Sequence, residues 1–218
     1  MTRLRLPISA AVILMMTMLV GCGSTPSKPA PTAQPSAAAP SPPEQKEPVL
    51  YTAKQCFTSM VNLAQRWQAD ALPFHLESEL TTETNGQGGK STVWRAIFAS
   101  QSRGTMKSFI CSGSRLPSAP ALGFTSTMES AYPPNVPALL FHPSYLQIDS
   151  DKTFTTTLEH GGAAMIKQDP KQPVIYLLDW DAKHKDLLWQ VIFGNSQAER
   201  KGICVVNAAT GAFVRAGK

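Results

Sequence analysis

Few side chains in this sequence could act as a base, a nucleophile or a soft metal ligand near neutral pH. They are His75, His142, His160 and His184, together with Cys22, Cys56, Cys111 and Cys204. No histidine belongs to an HExxH run, no two share metal-ligand spacing on one helix, and no CxxC occurs. His75 falls on the polar side of a strand pattern, and His160 at a helix end, where a cation favours the dipole. Ser112-Gly113-Ser114 has no base beside it in sequence, and no GxSxG elbow, phosphate loop or GxGxxG is present. Cys111 and Cys204 lie in apolar strands, which suits packing better than a thiolate stabilised by a cation. Trp94 and Trp189 share strand faces with Phe98 and Phe193 and read as core rather than as a stacking platform. The expectation is a protein with no catalytic residue, no metal and no cofactor; a hydrolase with a site assembled from distant residues is the remote alternative.

The elements that position these residues begin with an address. Arg3 and Arg5 precede a 13-residue apolar stretch, Ile8 to Val20, too short for a bilayer core that needs roughly 20 residues. It ends in Leu19-Val20-Gly21-Cys22, which resembles the lipobox of bacterial lipoproteins. That resemblance implies a signal peptide over 1–21, removed before Cys22, and acylation of the Cys22 thiol and the new N-terminus. Two or more acyl chains anchor far better than one, at about 0.8 kcal/mol per buried CH₂. Gly23 stands where the family's inner-membrane retention signal has Asp, so the resemblance points to the outer membrane, facing the periplasm, in a Gram-negative organism.

Residues 22–48 read as the lipidated cysteine and a tether. Eight prolines with Ser, Ala, Thr and Gln, and no large apolar residue, cannot build a core. At about 3.1 Å per residue the extended segment reaches on the order of 80 Å. The part after the signal peptide carries 18 basic and 15 acidic side chains, a small surplus without a basic helix or aromatic interleaving. Nucleic acid is therefore not an expected partner. Once Cys22 is assigned to lipid, Cys56, Cys111 and Cys204 allow one internal bridge and one spare thiol. Cys111–Cys204 is the candidate pair and three free thiols the alternative; spacing does not choose.

The remaining 170 residues contain an internal repeat. Trp94-Arg95-Ala96-Ile97-Phe98 matches Trp189-Gln190-Val191-Ile192-Phe193 at an offset of 95, and each block leads through a polar turn to a strand with a cysteine. The offset exceeds a solenoid period of 20–50 residues and fits two copies of a small module. Ahead of the first block, Ala53, Cys56, Phe57, Met60, Val61, Ala64 and Trp67 give one apolar face to a helix over roughly 51–69. Ahead of the second, Asp149-Ser150-Asp151 is an N-cap cluster, His160-Gly161-Gly162 a stop, and 163–168 a short further turn. Phe74, Leu76 and Leu80 mark a strand in the first copy, and 174–180 one in the second, with turn signals at Asn85-Gly86, Gly88-Gly89 and 181–186. The fold class expected is α+β, with each module one helix on a small antiparallel meander. The modules span 49–112 and 148–218, and a connector over 113–147, rich in proline, packs across them.

The second copy resembles the PepSY domain of secreted and membrane-bound bacterial proteins. The matching residues are Ile148-Asp149, Gly161-Gly162, Trp189-Gln190-Val191 and the run Val205 to Val214, with its turn at Thr210-Gly211. Asn207 stands where the family often has Asp. The resemblance covers about 70 residues well, and the first copy only around its Trp block. It implies a PepSY/cystatin-like, non-catalytic module linked to peptidase inhibition or envelope regulation. A meander also places the loop before its first strand and the turn after its second at one end, which groups Lys167, Lys171, Arg200 and Lys201, partly offset by Asp169 and Glu199. A plain solvated rim is the first reading of these four, and a contact with an anion or acidic partner is the alternative. The functional expectation is an envelope lipoprotein that binds a protein or peptide and acts as an inhibitor or regulator of a peptidase. A structural or assembly lipoprotein of the outer membrane or cell wall is the alternative.

Overall fold

Two helical segments lie on one face of a long antiparallel sheet. The computed structural model describes residues 47–217; the expected signal peptide, Cys22 and nearly all of the expected tether lie outside the described residues. After a short strand β1 (Tyr51–Thr52) come α1 (Ala53–Trp67), β2 (Leu72–Glu79), β3 (Lys90–Ser91), β4 (Val93–Ser100), β5 (Thr105–Ser112), β6 (Gly123–Ser126) and β7 (Ser130–Ala131). The second half supplies α2 (Ser150–Thr157), a π-turn (Leu158–Gly162), α3 (Ala163–Gln168), β8 (Val174–Asp181), β9 (Asp186–Gly194), β10 (Arg200–Asn207) and β11 (Phe213–Gly217). Among the described residues no helix is long and apolar enough to cross a membrane.

The sheet has nine strands in the order β11-β10-β9-β8-β2-β4-β5-β6, with β7 also on β5. The two halves meet where β2 pairs with β8, His75 to Asp179, Leu76 to Leu178 and Glu77 to Leu177. The structure is thus one continuous α+β sheet, not two separate helix-and-meander bodies. The connector contributes more than a strap, since β6 and β7 extend the sheet beyond β5. Its glycine and proline content hides strands of four and two residues. The Asn85-Gly86 signal does not close a tight hairpin either. It opens a loop whose β3 pairs with β1, and whose Gly89, at φ +75°, would put a Cβ 2.3 Å from the Asp151 backbone.

The sequence pattern accounts for the core. Ala53, Cys56, Phe57, Met60 and Ala64 recur at helical spacing and are the buried face of α1. They meet Leu76, Trp94, Phe98 and Phe109, while α2 and the strands after it bury Phe154, Tyr176, Leu178, Trp189, Phe193 and Val206 in the same cluster. Trp94 and Trp189 are both fully buried and touch edge to face at 6.5 Å. Each indole N–H also donates to a carbonyl at the entry of a helical segment, Trp94 to Tyr51 and Trp189 to Ile148, both at 2.9 Å. A buried indole needs such an acceptor, and the pair ties each middle strand to the helix above it.

The helix starts are capped across the molecule. Asp149 is the N-cap of α2 and accepts from the Ser150 N–H at 2.7 Å, and the same oxygen accepts from the Lys54 N–H in α1 at 2.9 Å. Ser150 Oγ accepts from the Ala53 N–H at 2.9 Å and donates to Gly89 O at 2.6 Å. One Asp-Ser pair therefore satisfies orphan N–H groups of two helices at once, where a carboxylate also gains from both dipoles. The second helix is interrupted at His160 (φ −115°, ψ 39°) and Gly161 (φ +103°), so α3 leaves at an angle.

Candidate functional site

The face of the sheet away from the helices carries a charged band across its centre. Period-two alternation along β2 puts His75, Glu77 and Glu79 on that face, and antiparallel register sets Arg95 on β4 opposite Glu77. From the other half come Asp179 on β8, opposite His75, and Gln190 on β9. His75 Nδ1 meets Asp179 Oδ1 at 2.6 Å and Nε2 meets Glu77 Oε2 at 3.4 Å. Arg95 pairs with Glu79 and lies 3.7 Å from Glu77. Gln190 Nε2 donates to Asp179 Oδ2 at 3.1 Å. Burial works against a charge on His75, but the two carboxylates outweigh it and hold its pKa up at about 9. His75 in turn keeps the Glu77 carboxyl below the usual range. The band is a chain of ion pairs that staples β2 to β8. A histidine already protonated at neutral pH cannot serve there as a general base.

Two concavities flank the second half. A broad open groove of about 870 Å³ runs between the loop 79–85, the connector near 116–120 and Lys171, Pro173 and Asn195. Its lining of threonines, asparagines, Glu79 and Glu83 offers hydrogen bonds without a histidine or cysteine. A smaller cleft of about 460 Å³ lies between α3 and the ends of β10 and β11, with Cys204 and Met165 among its walls. Burial pushes the Cys204 thiol up, which keeps it protonated rather than reactive. His160 is stacked on Phe213 at 3.9 Å between ring centroids, and its carbonyl lies 3.7 Å from the Cys204 sulfur. Among the described residues no three His, Cys, Asp or Glu side chains are arranged to hold a metal ion.

The four basic residues weighed as a partner contact divide between these features. Lys201 lines the cleft and pairs with Asp169 at 3.0 Å, holding that carboxyl below the ordinary range. Arg200 donates to Gln197 O at 2.6 Å. Lys171 lines the broad groove instead, and Lys167 lies in the last turn of α3. Sequence reasoning missed the partners of His75. The one signal was an acid, Asp179, within the largely apolar strand Val174–Asp181.

The candidate Cys111–Cys204 bridge is corrected by the structure. The disulfide joins Cys56 to Cys111 with 5.7 Å between Cα atoms, and Cys204 is free and buried. The reason is the strand order: β5 and β10 are five steps apart in one sheet, about 24 Å at roughly 4.8 Å per step, far beyond the 7 Å limit for a bridge. Cys56 instead looks down from α1 onto β5. A bridge of this kind marks an oxidising, extracytoplasmic compartment.

The fold and site define an α+β protein with helices on one side of a nine-strand antiparallel sheet. No protein-family model matches the chain, and no curated protein sequence does. Among solved structures, the fold is similar to a protein of Clostridium difficile 630 described as a "putative lipoprotein". The likeness has a TM-score of 0.48 and 11% sequence identity, over 80% of this chain and 95% of that one.

Proposed function

We propose that this protein is a non-enzymatic lipoprotein of the cell envelope, anchored through Cys22, whose folded part binds a protein or peptide and regulates or inhibits a peptidase. The observation that carries the non-catalytic part is the grip of Asp179 and Glu77 on His75, which spends the best-placed base of the sheet on joining the two halves. The Cys56–Cys111 bridge supports export, as do the lipobox and the proline tether. The halves are read as a duplicated PepSY-like unit. Support comes from the matched Trp94 and Trp189 bonds to residues just ahead of each helix, and from the same helix-then-meander order in each half. The test is in-cell crosslinking of the full lipidated chain. Trapping of a protease or its substrate supports the reading, whereas trapping of an outer-membrane barrel or peptidoglycan replaces it with an assembly role. Hydrolysis of envelope substrates by the purified chain, abolished by one polar substitution, overturns it.

A further inference from the structure

The cleft beside α3 has three features that share no common structural explanation. First, its floor is made of small residues, Gly202, Cys204, Ala216 and Gly217, so the sheet leaves a volume of about 460 Å³ under the helix, well within the size range of ligand sites. Second, Gln172 lines it with 1% of its surface exposed. Its Nε2 donates to Pro173 O at 3.2 Å, while its Oε1, buried as well, has no hydrogen-bond partner among the described residues. An orphaned buried acceptor costs about 1–3 kcal/mol and calls for a donor. Third, the cleft opens beside β11, which pairs with β10 on one side only and whose residues 214–217 are exposed.

An edge strand of this kind offers a row of backbone donors and acceptors to a further strand at about 4.8 Å. Alternate side chains of that strand fall on the helix side, over the cleft. The wall is apolar at Met165, which packs over Gly202, and this suits an aromatic ring and offers it a thioether contact. The surroundings select for charge too. Arg200 and Lys201 stand at the start of β10, against Glu199 and Asp169, and Lys201 is 61% exposed at the cleft while paired to Asp169.

We propose that β11 takes up an extended acidic peptide as an additional strand, and that the cleft receives one of its tryptophan or tyrosine side chains. The indole N–H or phenol O–H donates to Gln172 Oε1, and an acidic residue of the peptide meets Lys201. This rests on the partner-binding reading above and gives it a place and a ligand chemistry.

The test uses the full chain and the acetylated octapeptides Asp-Thr-Val-Thr-Xaa-Thr-Val-Asp, with Xaa as Trp, Tyr, Phe or Ala. Binding is read by fluorescence anisotropy and by the Met165 ε-methyl NMR shift. Trp and Tyr peptides are expected to bind about tenfold tighter than Phe, the worth of one buried hydrogen bond, and Ala weakest. Gln172→Leu abolishes the Trp-over-Phe preference, and Lys201→Glu, at an exposed site that leaves folding intact, weakens all four and removes their salt dependence. Equal binding of Trp and Ala peptides, no binding below 1 mM, or an unmoved Met165 methyl overturns the proposal. A photo-crosslinker at Ala216, compared with one at Lys107 on β5, separates the two readings in cells. A partner trapped only from Lys107 removes the cleft but keeps partner binding, and no protein trapped from either site removes both.

Discussion

Raising the pH should loosen the junction between the two halves, because His75 is a cation in the folded protein at pH values where it is neutral in the unfolded chain. Against the penalty of burial, Asp179 and Glu77 hold its pKa up from 6.5 to about 9. A group whose pKa is raised by folding contributes stability in full below its unfolded value, and loses it as pH climbs through the folded value. The window is therefore pH 6.5 to about 9. A tenfold change in proton affinity on folding is worth about 1.4 kcal/mol, so the whole effect is about 3 kcal/mol. About 2 kcal/mol of it should disappear between pH 7 and pH 9.5, since side chains 22–35% exposed keep some solvent screening. For a domain of this size that is a Tm loss of about 4–8 °C. The assay is thermal unfolding at the two pH values for the native chain and for His75→Gln, with the His75 ring followed by NMR. The difference between the two proteins should be largest at pH 7 and nearly vanish at pH 9.5. If His75 titrates below pH 7.5, or if both proteins lose stability in parallel, the ion-pair account of the junction is wrong.

Reduction of the Cys56–Cys111 bridge, which spans a sequence separation of 55, should cost about 4 kcal/mol by loop-closure entropy; equal denaturant midpoints with and without reductant would refute that value. Asp149→Ala removes the acceptor of two helix starts and should cost about 2 kcal/mol, more than a single cap, with faster amide exchange at both Lys54 and Ser150. Exchange raised at Ser150 alone contradicts the shared cap. Gly89→Ala forces a Cβ into the Asp151 backbone at a positive φ and should destabilise by about 3 kcal/mol, whereas Gly104→Ala, also at positive φ but with open space around it, should cost only about 1 kcal/mol. Equal costs for the two would remove the close-approach argument.

Local signals were legible because they are written in neighbouring residues. The α1 face, the Asp149 cap, the break at His160-Gly161-Gly162 and the buried tryptophans follow from spacings of two, three and four and from side-chain chemistry. The short strands of the connector were not, since a four-residue strand between prolines owes its existence to the β5 edge it completes. The same holds for the charged band and for Gln172. Polar residues at period two tell which face they share, but not whether a cation from another strand meets them.

What the sequence by itself determined is the list of parts: a cysteine in a lipobox-like run, a proline-rich stretch, a repeated Trp-block motif and an apolar face for each element. Tertiary structure alone decided that β2 pairs with β8, so that two patterns become one sheet. That single pairing brings His75 to Asp179 and sets β5 and β10 five strands apart, which gives Cys111 to Cys56 and leaves Cys204 free. Pairing between distant strands is a choice among surfaces of similar apolar character, and the energy that makes it lies in contacts a hundred or more residues apart in sequence, where no local pattern records it.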